Sequence, residues 1–513
     1  MSFTGSKTNG SSYEKMDPAS YKLDDFENTF RNVIDNELTT TAKTRRAVNP
    51  STAQPLGEVP VSTQEDVDRA VKAAQAAFPA WRSLSTDDRM GYLLRFADAI
   101  EANQDGLGPL LGRETGKPPP GVAMELAQLG GLIRQVVTLR LEEEVVEDGP
   151  ERKAIRRYVP LGVGVGIVAW NFPIGLGIVK LAVALLVGNT FIWKPSPYSP
   201  YTALKVVEIA ARVFPKGVLQ ALSGEEDLGP LLTAHPDVAK VSFTGSVATG
   251  KKVMAACAGT LKRVTLELGG NDAAIICADA DLATVVPKIA TFAYINSGQV
   301  CLAIKRVYVH ESIYDTFLKA FVEFVKTFQV GKSTESSSTL GPVQNSMQYN
   351  KLRELYGEVS KSGLTVPLGG DVPPAESNNG GFFLTPTVVD NPPDNSRIVT
   401  EEQFGPIVPL LKWSDEEDVL RRANATTLGL GGSVWSKDLE RAERIARRIE
   451  SGTVWVNTHF EITPEVAFGG HKQSGIGVEQ GLEGLKGGAI TSRSGSGRTR
   501  QEKKTWQDSL LIK

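Results

Sequence analysis

The spacing of apolar and polar positions divides the 513-residue chain into stretches of different character. Residues 1–41 are polar, rich in Ser, Asp and Lys, and read as a partly disordered N-terminal arm. Over 64–78, Val67, Ala70, Val71, Ala74 and Ala77 recur at helical spacing, and Trp81 follows Pro79 as a packing anchor. Helical periodicity resumes over 87–102, and Glu114-Thr115-Gly116-Lys117 with three prolines closes that block, which reads as scaffold. Over 139–158 charges alternate with apolar residues on both sides of Asp148-Gly149-Pro150, the pattern of a two-sided exposed hairpin. Such a hairpin is marginal alone and needs a partner surface, which an oligomer contact would supply.

From 163 onward the pattern changes to short apolar runs separated by helical stretches. Strands are predicted over 163–169, 191–193, 218–222 and 239–243, and helices over 173–187, 203–213, 228–234 and 251–257. This alternation predicts an α/β fold with a parallel sheet covered on both faces, whose ligands bind beyond the carboxyl ends of the strands. The segment 161–193 holds a single charge, Lys180, and imitates a membrane span. Asn171, Pro173, Gly175, Gly177, Gly188 and Asn189 interrupt it, so no apolar helix of about 20 residues fits.

Composition narrows the function. A net charge of −3, with 41% hydrophobic and 22% charged residues, gives no electrostatic reason for a nucleic-acid or anionic-membrane partner. Three cysteines in so long a chain argue against a disulfide framework and for a reducing compartment; with no secretory signal at Met1, a cytosolic location is expected. The four histidines are scattered without Cys neighbours at ligand spacing, so no metal site is expected.

Five places carry candidate chemistry. Cys301 follows an Asn-Ser-Gly-Gln turn and precedes the strand run Val307-Tyr308-Val309, which puts its thiol on a loop; the alternative is a small buried hydrophobe. Phe243-Thr244-Gly245-Ser246 leads from a strand into a helix whose N-terminus offers amide donors to a phosphate, or is an ordinary turn. The run Gly162-Val163-Gly164-Val165-Gly166 starts a strand and lacks G-x-G-x-x-G spacing, so a dinucleotide site here would not use that fingerprint. Lys194 stands at the end of a strand, where a cation reaches ribose or phosphate; Asn171 is an amide in apolar surroundings, and Glu267 a carboxylate before a Gly-Gly break, suited to general base catalysis if buried.

Together these motifs resemble the NAD(P)-dependent aldehyde dehydrogenase superfamily. The matching residues are Ala169-Trp170-Asn171-Phe172-Pro173, Gly188-Asn189-Thr190 through Lys194-Pro195-Ser196, Phe243-Thr244-Gly245-Ser246, Glu267-Leu268-Gly269-Gly270-Asn271, Gly298-Gln299-Val300-Cys301, Glu401-Glu402-Gln403-Phe404-Gly405-Pro406 and Phe468-Gly469-Gly470-His471-Lys472-Gln473-Ser474-Gly475. The resemblance covers about 45–486. It implies a Rossmann-type parallel-sheet cofactor domain (42–138 and 159–273), an oligomerisation hairpin (139–158), an α/β catalytic domain (274–486) and an atypical tail (487–513).

It further implies that Cys301 is the nucleophile, that Asn171 and the Cys301 N–H hold the oxyanion, and that Glu267 activates water to release the acid from a thioester. Trp170, Lys194, Gly224, Gly229, Gly245 and Ser246 would surround adenosine and pyrophosphate, and Glu402 and Phe404 the nicotinamide ribose and ring. Pro197 stands where many NAD-preferring members carry Glu, so NAD or NADP is expected, with NADP tolerated. Ala467 and Val478 also depart from the usual residues, at structural positions. Phe172, Leu176, Val179, Val300, Leu302, Phe460, Ile462 and Phe468 would line an apolar aldehyde tunnel, with His459 a neutral packed side chain or a polar contact. A homodimer or homotetramer is implied, but the polar, glycine-rich 487–497 predicts that the family's terminal interface strand is missing or altered. The alternatives are a CoA-acylating semialdehyde dehydrogenase, disfavoured by Glu267, and a noncatalytic relative.

Overall fold

The computed structural model describes residues 17–371 and 380–497. Two mostly parallel sheets carry the architecture. The first runs Glu37–Thr39, Asn32–Ile34, Leu219–Ala221, Thr190–Lys194, Val163–Ile167, Val238–Thr244, Arg263–Glu267, Gly475–Ile476. The strands from Leu219–Ala221 to Arg263–Glu267 are parallel, flanked by antiparallel pairings to Asn32–Ile34 and Gly475–Ile476. The period-2 alternation of a strand explains why both faces are apolar. Phe191 and Trp193 enter a core with helices Gly175–Val187 and Tyr201–Ala210, while Ile192, Val163 and Val165 enter another with Val67, Val71, Leu228 and Val253.

The second sheet runs Thr365–Leu368, Thr387–Asp390, Ile407–Trp413, Ile304–His310, Asp272–Ile276, Gly431–Trp435, Thr453–Val456, parallel except at the Thr365–Leu368 edge. It too divides its side chains. Ala274, Ile276, Val307 and Val309 pack on helices Leu282–Tyr294 and Tyr314–Val325; Ala273, Ile275 and Tyr308 pack on the opposite face, against Leu352, Val419 and Ile445.

The 161–193 segment resolves into strand, helix and strand, and no described helix is long and apolar enough to cross a membrane. Two expectations need correction. The polar arm predicted over 1–41 is part of the fold from Pro18 onward: Tyr21, Phe30, Val33 and Ile34 are buried, and Asn32–Ile34 joins the first sheet. Its polar residues serve as internal partners, Asn32 accepting from the Ser223 N–H at 2.8 Å and Asn36 donating to the Phe214 carbonyl at 2.8 Å. Residues 1–16 lie outside the described residues. The terminal strand is also present. Ala489–Gly497 pairs antiparallel along the whole of Arg152–Pro160, from Ala489 opposite Pro160 to Gly497 opposite Arg152. Strand pairing is made by backbone groups, so a polar, glycine-rich sequence still closes a ladder when a long neighbouring edge is available. With Glu144–Asp148 it completes a three-stranded sheet at the hairpin.

Candidate active site

The two sheets meet where one chain segment links them. Glu267 ends the last parallel strand of the first sheet, and Asp272 begins the Asp272–Ile276 strand of the second. Between them Gly269 and Gly270 allow close approach: a Cβ on Gly270 would lie 2.5 Å from the Cys301 carbonyl oxygen, and one on Gly269 would lie 2.3 Å from Glu402 Oε2. The sequence placed Cys301 on a loop, and it stands between the 3-10 turn Ile295–Gly298 and the strand Ile304–His310.

That loop has unusual backbone. Asn296, Ser297 and Gly298 have φ of 51°, 56° and 73°, a left-handed run that costs the two non-glycine residues roughly 1–2 kcal/mol each. Packing holds it: Ser297 Oγ donates to the Gly341 carbonyl at 2.7 Å, and Gln299 Oε1 accepts from the Gln344 N–H at 2.8 Å. Gly298 could carry no side chain, because its Cβ would lie 2.1 Å from the Gly405 carbonyl oxygen.

Asn171, buried after the Val163–Ile167 strand, reaches this loop. Its Nδ2 donates one hydrogen to the Gln299 carbonyl at 3.1 Å, leaving the second for another acceptor. The Cys301 thiol is pushed up to about 12 by burial, opposed by the positive charge of Lys305. Glu267 is 5% exposed and neither carboxylate oxygen has a hydrogen-bond partner. Burial, reinforced by Glu479, raises its pKa well above the ordinary carboxylate range, and Lys180 opposes the shift. Lys180 forms a buried ion pair with Glu479, and Ser242 Oγ donates to the same carboxylate at 2.6 Å. The sequence offered Lys180 only as the one charge of an apolar segment, and gave no signal for Glu479.

A separate brace fixes the Asn171 turn. Glu125, from helix Pro119–Val136, accepts from the Ile174 and Gly175 N–H groups at 3.0 and 3.1 Å. These are open donors at the start of helix Gly175–Val187, where a carboxylate is favoured. Lys117 pairs with Glu125 in a buried ion pair and lies 3.7 Å over the Phe172 ring.

On the first sheet's carboxyl side, Trp170 meets Phe404 edge to face at 5.3 Å. Lys194, 5% exposed, donates to the Pro195 carbonyl at 3.2 Å, and burial brings its amine down to about 8, with Arg45 adding to that shift. Arg45 donates to the Pro197 carbonyl, a contact that sequence reasoning missed because the two lie 152 residues apart. Ser246 caps helix Val247–Ala258, its hydroxyl accepting from the Thr249 N–H at 3.2 Å, and Gly245 lies just before it. A Cβ on Gly229 would meet nothing within 4 Å, whereas one on Gly224 would touch Leu228 at 2.8 Å. A buried cation with a single hydrogen bond among the described residues, a helix start with further amide donors and an aromatic pair suit the anionic and flat parts of a dinucleotide. Glu402, expected near the nicotinamide ribose, accepts through Oε1 from the Gly270 N–H at 3.0 Å and lies 3.8 Å from Lys305 Nζ, beside the Cys301 loop.

Around Cys301 the lining is apolar. Val300, Leu302, Ala303, Leu430 and Trp455 form a buried cluster against which Phe172, Phe460, Ile462 and Phe468 pack. Of the other expected tunnel residues, Leu176 packs on the first sheet's core and Val179 lines a small pocket of about 30 Å³ with Lys180 and Glu479. His459 is fully buried, with Nε2 2.8 Å from the Leu302 carbonyl, and burial brings its pKa down to about 3, so it is a neutral packed residue.

The aldehyde dehydrogenase family matches this chain over residues 38–489. Aldehyde dehydrogenase LUC3 of Fusarium sp is 42% identical over 457 residues, covering 89% of this chain and 96% of that protein. A putative aldehyde dehydrogenase of Burkholderia cenocepacia superimposes with a TM-score of 0.88 at 34% identity, over 91% of this chain and 97% of its own. Betaine aldehyde dehydrogenase of Staphylococcus aureus, solved in complex with NAD+, does so with 0.88 at 32% identity, over 91% and 95%. A match to the family over residues 38–489 and 42% identity over 89% of the chain mean that the chain belongs to the aldehyde dehydrogenase family.

Proposed function

We propose that this enzyme oxidises an apolar aldehyde to its carboxylic acid through a covalent step on Cys301. The observation that supports this reading best is the convergence of Cys301, the half-free Asn171 amide and the unpartnered Glu267 carboxylate around the two-sheet seam. The thiolate of Cys301 attacks the aldehyde carbon, and the Asn171 amide and the Cys301 N–H take the oxyanion; this N–H has no other acceptor among the described residues. Bound NAD(P) supplies the hydride acceptor. Trp170, Phe404, Lys194 and the Gly245-Ser246 helix start would hold it. Glu267 then takes a proton from water, whose oxygen attacks the thioester carbon, and the acid leaves as Cys301 recovers its thiol.

Substrate and cofactor preference follow from the lining. Phe172, Phe460, Ile462 and Phe468 present no charge to a substrate carboxylate, which favours aliphatic or aromatic aldehydes. At the ribose end Pro197 brings no carboxylate, while Arg45 brings a guanidinium to its carbonyl, a combination that accommodates a 2′-phosphate. Glu225, Glu226 and Asp227 lie in the same region, so acceptance of both NAD and NADP is the reading, rather than an NADP requirement. The three-stranded sheet leaves Val145, Val146 and Ile490 exposed, which supports a contact between copies of the chain.

The test is a panel of aliphatic, aromatic and semialdehyde substrates with NAD and NADP supplied separately, read as reduced cofactor. Cys301→Ala abolishes turnover; Glu267→Gln keeps the first hydride transfer as a burst and slows acid release by about 10²-fold or more. Because the Glu267 carboxyl must lose its proton to act and burial raises its pKa, wild-type acid release rises with pH, and that limb disappears in Glu267→Gln. Steady turnover by Cys301→Ala would sink the reading.

A further inference from the structure

Beneath the nucleophile loop lies a cation that the mechanism above does not use. Lys305, the second residue of the Ile304–His310 strand, is 3% exposed and folds back under the loop that precedes it. Its Nζ donates to the Val300 carbonyl at 2.8 Å, the Cys301 carbonyl at 2.6 Å and the Ala303 carbonyl at 3.3 Å. An ammonium has three hydrogens, so all are directed to the chain around one cysteine.

The planar peptide turns this grip into aim. In a trans peptide the carbonyl of one residue and the N–H of the next point in opposite directions; no cis bond occurs among the described residues. Holding the Val300 carbonyl on Lys305 therefore drives the Cys301 N–H out of the opposite side of the loop, away from the lysine. The Cys301 carbonyl is fixed from below as well, against Gly270, which has no side chain to displace it.

Resting on the assignment of Cys301 as nucleophile, we propose that Lys305 is a positioning residue for it: the ammonium aims the Cys301 N–H at the substrate oxygen and places a positive charge behind the sulfur. Other charged and titratable groups face the same thiol. Glu402 lies 3.8 Å from the ammonium, and Asp272, 1% exposed, lies 3.9 Å from His459 Nε2. Arg306 is turned away, bonded to the Asn271, Arg422 and Ala423 carbonyls, and Glu267 comes from the first sheet. Lys305 is what lowers the cost of the Cys301 thiolate, and Glu402, Asp272 and Glu267 raise it. Burial pushes Asp272 up to about 7, so its negative charge opposes the thiolate above that pH.

The experiment is iodoacetamide labelling of Cys301 in the full-length protein across pH 6–10, with labelled cysteine identified by mass and Cys301→Ala as the control. Lys305→Met lowers kcat more than it changes KM and slows the labelling rate about tenfold throughout this range, the equivalent of one pH unit in the thiol. Asp272→Asn moves it the other way, labelling faster above pH 7. Opposite signs are the result expected, since damage to packing would expose the buried thiol and speed labelling in both variants. Unchanged or faster labelling in folded Lys305→Met, or slower labelling in both variants, overturns the proposal. If Lys305→Met does not fold, Lys305→Gln, which keeps hydrogen-bond donors without the charge, decides: slower labelling supports the proposal, and unchanged or faster labelling overturns it. Retained turnover in Cys301→Ala is a separate result that removes the nucleophile assignment itself.

Discussion

Two buried lysines at the ends of two strands show how differently a fold can use the same side chain. Lys194 closes a strand of the first sheet and makes one hydrogen bond, to its neighbour's carbonyl at 3.2 Å. Lys305 opens a strand of the second sheet and directs hydrogen bonds to Val300, Cys301 and Ala303. Both are nearly sealed from solvent, at 5% and 3% exposure. A buried ammonium with open donors is costly unless a ligand completes it, whereas one whose donors are filled is part of the scaffold. Bonding capacity, more than burial or charge, separates a residue waiting for a cofactor from one that holds a loop.

Lys117 belongs with Lys305, and it offers the severest test of the comparison. Its partner Glu125 also caps the helix behind Asn171. Glu125→Ala leaves the ammonium buried without its counter-charge and two helix N–H groups open, and is expected to cost about 3–5 kcal/mol, measured by urea denaturation. An effect below about 1 kcal/mol would show that the ammonium finds water or another partner.

Lys194 should behave in the opposite way. Lys194→Met keeps the volume and removes a poorly satisfied charge, so stability stays within about 0.5 kcal/mol of the parent or rises. The NAD dissociation constant, followed by fluorescence, rises about tenfold, the size of a charge-assisted hydrogen bond of about 1.5–3 kcal/mol. Because its amine is brought down to about 8, binding in the parent also weakens as pH passes that value and the cation loses its proton, a trend absent in the variant. A stability loss like that of Glu125→Ala would erase the distinction between the two kinds of lysine.

The smallest expected effect sharpens the same edge. Pro197→Glu introduces a carboxylate beside Arg45 and should weaken NADP by about tenfold, near 1.4 kcal/mol, with NAD changed less. Equal changes for both cofactors would mean that position 197 lies outside reach of the 2′-phosphate.

The loop position of Cys301, the strand-end position of Lys194, the strand-end carboxylate Glu267 and the strand-to-helix turn over 243–246 were all legible in the sequence, because each rests on local signals. Apolar runs, a Gly-Gly break and a turn signal fix secondary structure within a few residues, and chemistry-bearing side chains at those boundaries stand out. The parallel first sheet was legible for the same reason. The N-terminal arm and the 487–497 tail were misread because their elements form through partners elsewhere: Asn32 is satisfied by Ser223, and Ala489–Gly497 by the edge of Arg152–Pro160.

What only the tertiary structure decided is which distant groups face one another. Glu479 reaches Lys180 across 299 positions, Arg45 reaches Pro197 across 152, and Glu402 settles on Gly270 across 132. Even Lys305, four residues from Cys301, was mute in the sequence, since a lysine beginning a strand reads as solvated until the chain bends back and buries it. Local pattern encodes where the backbone turns; the burial and pairing of charges depend on what the rest of the chain brings alongside, and those govern the reactivity of the thiol and the carboxylate.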